Sequence, residues 1–220
     1  MIIERTIDFV KQELASAEGG HDWWHIHRVY TNALRIAATE AVDTTVVALA
    51  ALLHDIADSK FHGGDETIGP QKARHFLQSQ LVEQTIIDHV VAIIENISFK
   101  GGKVERRFQS LELDVVQDAD RLDAIGAIGI ARAFSFGGYK GRELFNPSVL
   151  PNPNQSKEEY KNSTAPTINH FYEKLVLLKD KMNTSSGRLL AEQRHNFMLS
   201  YLKEFYTEWG IDQSQFEASF

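Results

Sequence analysis

Apolar residues along this chain return every third or fourth position, and strict alternation is scarce, so the pattern predicts helices rather than strands. Ile3, Ile7, Val10 and Leu14 keep that spacing, and Gly19-Gly20 ends the first helix. Asp22 offers a cap for a second helix through Ala38, with Ile26, Val29, Tyr30, Ala33, Ile36 and Ala37 inward. Asp43 and Thr44 offer caps for a third, whose run Val46-Val47-Ala48-Leu49-Ala50-Ala51-Leu52-Leu53 reads as a buried helix. Pro70 suits the first turn of a helix through Leu77. Residues 82–97 carry a broad stripe of Val82, Ile86, Ile87, Val90, Ile93, Ile94 and Ile97. Ser110 opens a long apolar stretch to about Phe136, in which Gly126 and Gly129 weaken a helix by ~1 kcal/mol each and so mark close packing. Residues 137–164 lack periodicity; a stretch that long is functional, as a lid, or a disordered insert. Pro166 starts a helix through Met182, and Thr184 or Ser185 starts the last one, running to Trp209. The expectation is an all-α chain of one domain over 1–220. Its core spans about 20–136, a long loop 137–164 follows, and C-terminal helices occupy 165–209.

Composition narrows the classes. At 220 residues the chain can bury a sizeable core, and 43% hydrophobic with 24% charged residues is ordinary for a soluble globule. A net charge of −7 argues against general binding to nucleic acid or an anionic membrane. With no cysteine, thiolate metal sites and disulfides are excluded, which suits a reducing cytoplasm. The N-terminus meets charge within four residues, unlike a signal peptide, and no apolar run reaches the ~20 residues of a membrane span. The reading is a cytoplasmic monomer or homodimer with no nucleic-acid or membrane partner.

The chemistry gathers where the apolar third helix ends, in Leu52-Leu53-His54-Asp55-Ile56-Ala57-Asp58. Ionisable groups beside a core helix are costly to bury unless paired or bound to metal. Asp58 lies four positions after His54 and three after Asp55, so on a continuing turn it overlooks the same spot. The simpler alternative is a His-Asp pair at a helix C-terminus, where a cation is favoured and a carboxylate is not. His25 on the second helix and Asp120 in Asp118-Ala119-Asp120-Arg121 shift the balance toward a metal. His25, His54, Asp55 and Asp120 make a set of two imidazoles and two carboxylates that suits Mn, Mg, Fe, Ni or Zn without choosing among them. Four protein ligands would leave an octahedral ion open positions for water and substrate.

The order His25 … His54-Asp55 … Asp120 resembles the H…HD…D signature of the HD-domain phosphohydrolase superfamily. The flanking segments Gly20-His21-Asp22-Trp23-Trp24-His25 and Gln117-Asp118-Ala119-Asp120-Arg121-Leu122-Asp123 are similar to its small bacterial YedJ-like branch. So are Gly138-Tyr139-Lys140-Gly141-Arg142 and Asn169-His170-Phe171-Tyr172-Glu173-Lys174, and the resemblance spans about residues 2–210. It implies a mostly five-helix HD-type core with appended C-terminal helices, holding one divalent ion. The implied activity is hydrolysis of phosphate esters or anhydrides of a small phosphorylated metabolite, above all a nucleotide. On that reading Asp58 is the general base or water-orienting group. Arg28 and Arg121 face the phosphate charge, with Lys60, Lys100, Lys103, Lys140 and Arg142 available for further phosphates.

Two rival functions stand beside this one. A non-catalytic nucleotide-sensing module on the same fold would need a broken ligand set, and here the set is complete. A two-metal oxygenase would draw on histidines between the HD pair and Asp120, where His62, His75 and His89 lie; one metal is the reading adopted. Asp123, three positions after Asp120, is a better supporting partner than Asp118. His170, Lys174 and Arg194 are explained equally well by structural pairing.

Overall fold

The computed structural model describes residues 1–15, 22–57, 65, 67–97 and 108–217, and all regular structure among them is helical. The chain forms two compact units, Met1–Asp120 and Arg121–Phe220, and the boundary falls inside one helix. No helix among the described residues is long and apolar enough to cross a membrane.

In the first unit the helices are α1 (Ile2–Glu13), α2 (Trp23–Ala37), α3 (Thr44–Leu53), α4 (Ile68–Ser79) and α5 (Gln84–Asn96), followed by α6 (Leu111–Asp123), which runs into the second. Helix α3 is the centre. Every residue from Val46 to Leu53 is at most 4% exposed, and α1, α2 and α5 pack around it. A helix with no polar face has to be enclosed in this way. Its start is set by Asp43, whose carboxylate accepts from the backbone N–H of Thr45 (2.8 Å) and Val46 (3.2 Å). Asp22 does the same for α2, accepting from His25 N–H at 2.9 Å. Pro70 falls in the first turn of α4, as its spacing predicts, and the helix runs two residues past Leu77. Gly19-Gly20 and the charged segment 100–107 lie outside the described residues.

The apolar stretch from Ser110 is two helices, not one. After α6 the backbone breaks at Ala124-Ile125, and α7 (Gly126–Tyr139) begins at a residue with φ +78°. That left-handed conformation favours glycine, and a side chain there would also press on the Arg194 stem at 3.0 Å. Gly129 allows the other close approach, since a Cβ would collide with the Ala124 carbonyl. Arg132 on α7 holds the same corner, bonding Asp123 through its carboxylate (2.5 Å) and its carbonyl (3.2 Å). Arg194 donates to the Leu122 carbonyl. These guanidinium groups occupy carbonyls that a helix C-terminus leaves without partners.

Residues 137–164 are a docked excursion rather than a disordered insert. The short helix α8 (Lys157–Asn162) lies within it. Arg142 donates to the Ser163 carbonyl at 2.5 Å, and the backbone N–H groups of Thr167 and Ile168 bond the carbonyls of Glu143 (2.9 Å) and Leu144 (3.0 Å). Phe145, 4% exposed, packs edge-on against Tyr206, Trp209 and Phe216 with centroids 5.2–5.4 Å apart. The helix expected from Pro166 to Met182 is irregular, passing through a π-helical turn (Phe171–Leu175) into a 3-10 helix (Val176–Lys181). Ile168, Phe171 and Leu175 keep helical spacing and are buried, whereas no residue of Val176–Lys181 is, so nothing holds that part to the α period. Helix α9 (Ser185–Trp209) starts at the expected Thr184 cap. The sequence pattern misses α10 (Gln213–Glu217), which has a single apolar anchor in Phe216 and a tie from Tyr172 Oη–H to Glu217 at 3.0 Å.

One buried group in the second unit predicts how stability varies with pH. Burial, aided by the cations of Lys174 and Arg142, pushes the His170 imidazole down to about 4 from 6.5. The unfolded chain therefore takes up that proton first. This contribution is fully present above about pH 6.5 and is lost as pH falls toward about 4. His170→Gln is expected to reduce the stability lost between pH ~7 and ~4.5 by about 2–3 kcal/mol relative to the parent. Urea unfolding of both proteins at the two pH values measures it, and equal losses would refute the assignment.

Candidate metal centre

Three helices of the first unit bring His25, His54 and Asp120 together. His25 is the third residue of α2, where the Asp22 cap fixes its backbone. His54 is the C-cap of α3, and its Nδ1 lies 2.9 Å from the carbonyl of Ala51, three residues back. That contact makes Nδ1 the protonated nitrogen and turns the Nε2 lone pair outward from the helix. Asp120 sits in the last turn of α6.

Asp120 Oδ1 is 3.7 Å from His25 Nε2 and 4.0 Å from His54 Nε2, and the two imidazole rings meet at 65° with centroids 5.3 Å apart. One ligand atom from each residue falls within a span of 4.8 Å. His54 Nε2 is buried and, among the described residues, has no hydrogen-bond partner. A buried polar atom without a partner is costly, and a cation here would remove the cost. His54 comes from the C-terminal end of α3 and Asp120 from the last turn of α6. The imidazole side chains are 4% and 5% exposed against 43% for Asp120, so the site opens at the carboxylate. Nitrogen and oxygen donors, no sulfur and an open side fit a divalent ion that keeps positions for water.

A model of the HD domain matches residues 23–125. The Bacillus subtilis (strain 168) protein YpgQ, itself uncharacterised, is 38% identical over 219 residues, 95% of each chain. This chain belongs to the HD-domain family. A crystal structure of an HD-superfamily hydrolase from Bacillus thuringiensis agrees with a TM-score of 0.77 at 40% identity, covering 96% of this chain and 98% of the other. YpgQ crystallised in complex with ADP gives a TM-score of 0.74 at 36% identity over 94% of each chain.

Within this HD-domain chain, the ligand-type residues expected from sequence separate into groups. His25, His54 and Asp120 converge; the carboxylate of Asp55 is not within the same 4.8 Å span. Asp58 and Lys60, expected as base and phosphate contact, lie outside the described residues, as do Lys100, Lys103 and His62. Arg28 stands on α2 three positions after His25. In the second unit, Arg121 donates to the Lys181 carbonyl, and Arg142 spends one N–H on Ser163. The Lys140 ammonium lies 5.2 Å from the Tyr139 ring and 5.7 Å from Phe136, whose face also carries the Arg142 guanidinium at 5.6 Å. Asp123, 1% exposed, is held by Arg132.

The Ala51 carbonyl is the partner that reading the sequence missed. A histidine placed at a helix C-cap, with its ring able to reach three residues back, was the available signal.

Removing either end of the cluster is expected to remove Co(II) or Mn(II) binding. His54→Ala and Asp120→Ala are each expected to weaken affinity beyond the ~100-fold that supporting residues typically cost. Isothermal titration of the metal-stripped proteins reads this directly, and parent-like affinity in both variants would dismiss the site.

Proposed function

We propose that this chain is a metal-dependent phosphohydrolase acting on a small phosphorylated metabolite, with a nucleotide as the favoured substrate. The observation that carries the reading is the unpartnered, buried His54 Nε2 facing His25 and Asp120 at two helix C-termini. A divalent ion bound there supplies Lewis acidity toward a phosphoryl oxygen and lowers the pKa of water toward ~7. The nucleotide preference is supported by YpgQ, a relative that binds ADP in its crystal.

The chain's own residues then divide the work. His25, His54 and Asp120 would hold the ion, and Asp55, whose carboxylate lies outside their 4.8 Å span, would have to turn toward it to serve as the fourth ligand. The Ala51 carbonyl keeps His54 in the tautomer whose Nε2 is free to ligate. The open side at Asp120 admits substrate, and the buried histidine side keeps water away from the back of the site. Arg28 is assigned to the phosphate oxygens, for which a guanidinium is well shaped. Asp58, four positions after His54 in the sequence, is assigned the proton of the attacking water.

Hydrolysis of a nucleotide panel by Mn-loaded protein, reading phosphate and pyrophosphate separately, tests the reading. Product formation that disappears in Asp120→Ala is expected. Silence across the panel with metal confirmed bound would favour a sensing module instead. Asp58→Ala is expected to retain metal and lose about 10²–10⁴-fold in turnover; unchanged turnover would remove Asp58 from the mechanism.

A further inference from the structure

Helices α3 and α6 each deliver one member of the metal cluster from their C-terminal ends, His54 and Asp120. Their N-terminal ends also meet, in a polar cluster at the opposite end of the unit. Glu112 in the first turn of α6 accepts through Oε1 from the backbone N–H of Asp43, the N-cap of α3, at 3.0 Å. Its other oxygen lies 3.4 Å from His89 Nε2 on α5. The same imidazole nitrogen is 3.0 Å from Ser110 Oγ, and that hydroxyl accepts from Leu113 N–H at 3.1 Å at the start of α6. The Glu112 side chain is only 13% exposed. One hydrogen-bonded cluster thus joins the cap of α3, the start of α6 and the middle of α5. None of these groups touches the metal cluster.

Two helices tied at one end and sharing an ion at the other have a fixed register. Asp43 to His54 is eleven residues and Glu112 to Asp120 is eight, which at 1.5 Å per residue is about 16 Å and about 12 Å. Sliding α6 along α3 by one residue would move Asp120 by about 1.5 Å, whereas metal–ligand distances tolerate about 0.2 Å. Close-packed apolar side chains resist such a slide along the helices. The Glu112 hydrogen bond adds a directional constraint at their N-terminal ends.

We propose that Glu112, with His89, is a positioning residue for the metal centre: it sets the register of α6 against α3 and so the placement of Asp120 beside His54. His89 then belongs to this tie and not to a second metal. The inference rests on the metal reading of His25, His54 and Asp120. It adds a requirement that reading does not contain, a distant carboxylate on which ligand geometry depends.

Co(II) binding by metal-stripped protein tests it, with affinity and the visible d–d spectrum as readouts and far-UV circular dichroism confirming the fold. Glu112→Leu removes the tie at similar bulk, and Glu112→Gln restores an acceptor for the Asp43 N–H. Leu77→Val, in the buried face of α4, serves as a control for general loss of stability. Glu112→Leu is expected to bind Co(II) about tenfold more weakly with a shifted spectrum. Glu112→Gln is expected to recover most of that loss, and Leu77→Val to match the parent. Parent-like affinity and spectrum in Glu112→Leu, or an equal loss in Leu77→Val, would overturn the positioning role while leaving the metal site standing. A parent that binds no Co(II), or binds it as well after Asp120→Ala, would overturn the metal reading and the proposal together.

Discussion

Everything in the first unit follows from enclosing α3. A helix whose eight residues Val46–Leu53 are all apolar cannot rest on a surface, so α1, α2 and α5 must surround it. Enclosure places its C-cap, His54, where water is scarce, and an imidazole there needs partners for both nitrogens. Among the described residues Nδ1 has the Ala51 carbonyl and Nε2 has no hydrogen-bond partner, which leaves Nε2 suited to ligate a cation.

Several other polar groups are tied close to where they sit. Asp43 and Asp22 serve helix starts, Arg132 and Arg194 serve the end of α6, and Asp123 is held by Arg132. In the His25–His54–Asp120 cluster, two imidazoles and a carboxylate each bring one ligand atom within 4.8 Å of the others. That is an arrangement a cation stabilises.

Much of this was legible in the linear pattern. The helices α1 to α5 and α9 follow from three-to-four spacing and their caps, and the HD-family resemblance selected four residues, of which His25, His54 and Asp120 converge and Asp55 does not. Legibility failed in two kinds of place. Between Ser110 and Phe136 apolar residues recur on both sides of Gly126, so the pattern gave no hint that the stretch is two helices with a corner between them. Where apolar anchors were few, as in Val176–Lys181 and Gln213–Glu217, neither the irregular helix nor α10 had a pattern to follow. The excursion 137–164 has no period either, and it is held by single contacts, among them the aromatic neighbours of Phe145, that no local rule announces.

The amino-acid sequence alone therefore determined the helical class, the enclosed position of α3 and which side chains carry donor atoms suited to a metal. These depend on near neighbours along the chain, through helical periodicity, capping and the donor atoms that side chains carry. Tertiary structure decided how close Asp120 comes to both imidazoles, and that His89 joins Glu112 and Ser110 at the far ends of α3 and α6. Those are relations between residues twenty to ninety-five positions apart, set by how helices pack and in what register. Spacing within one helix carries no information about that register.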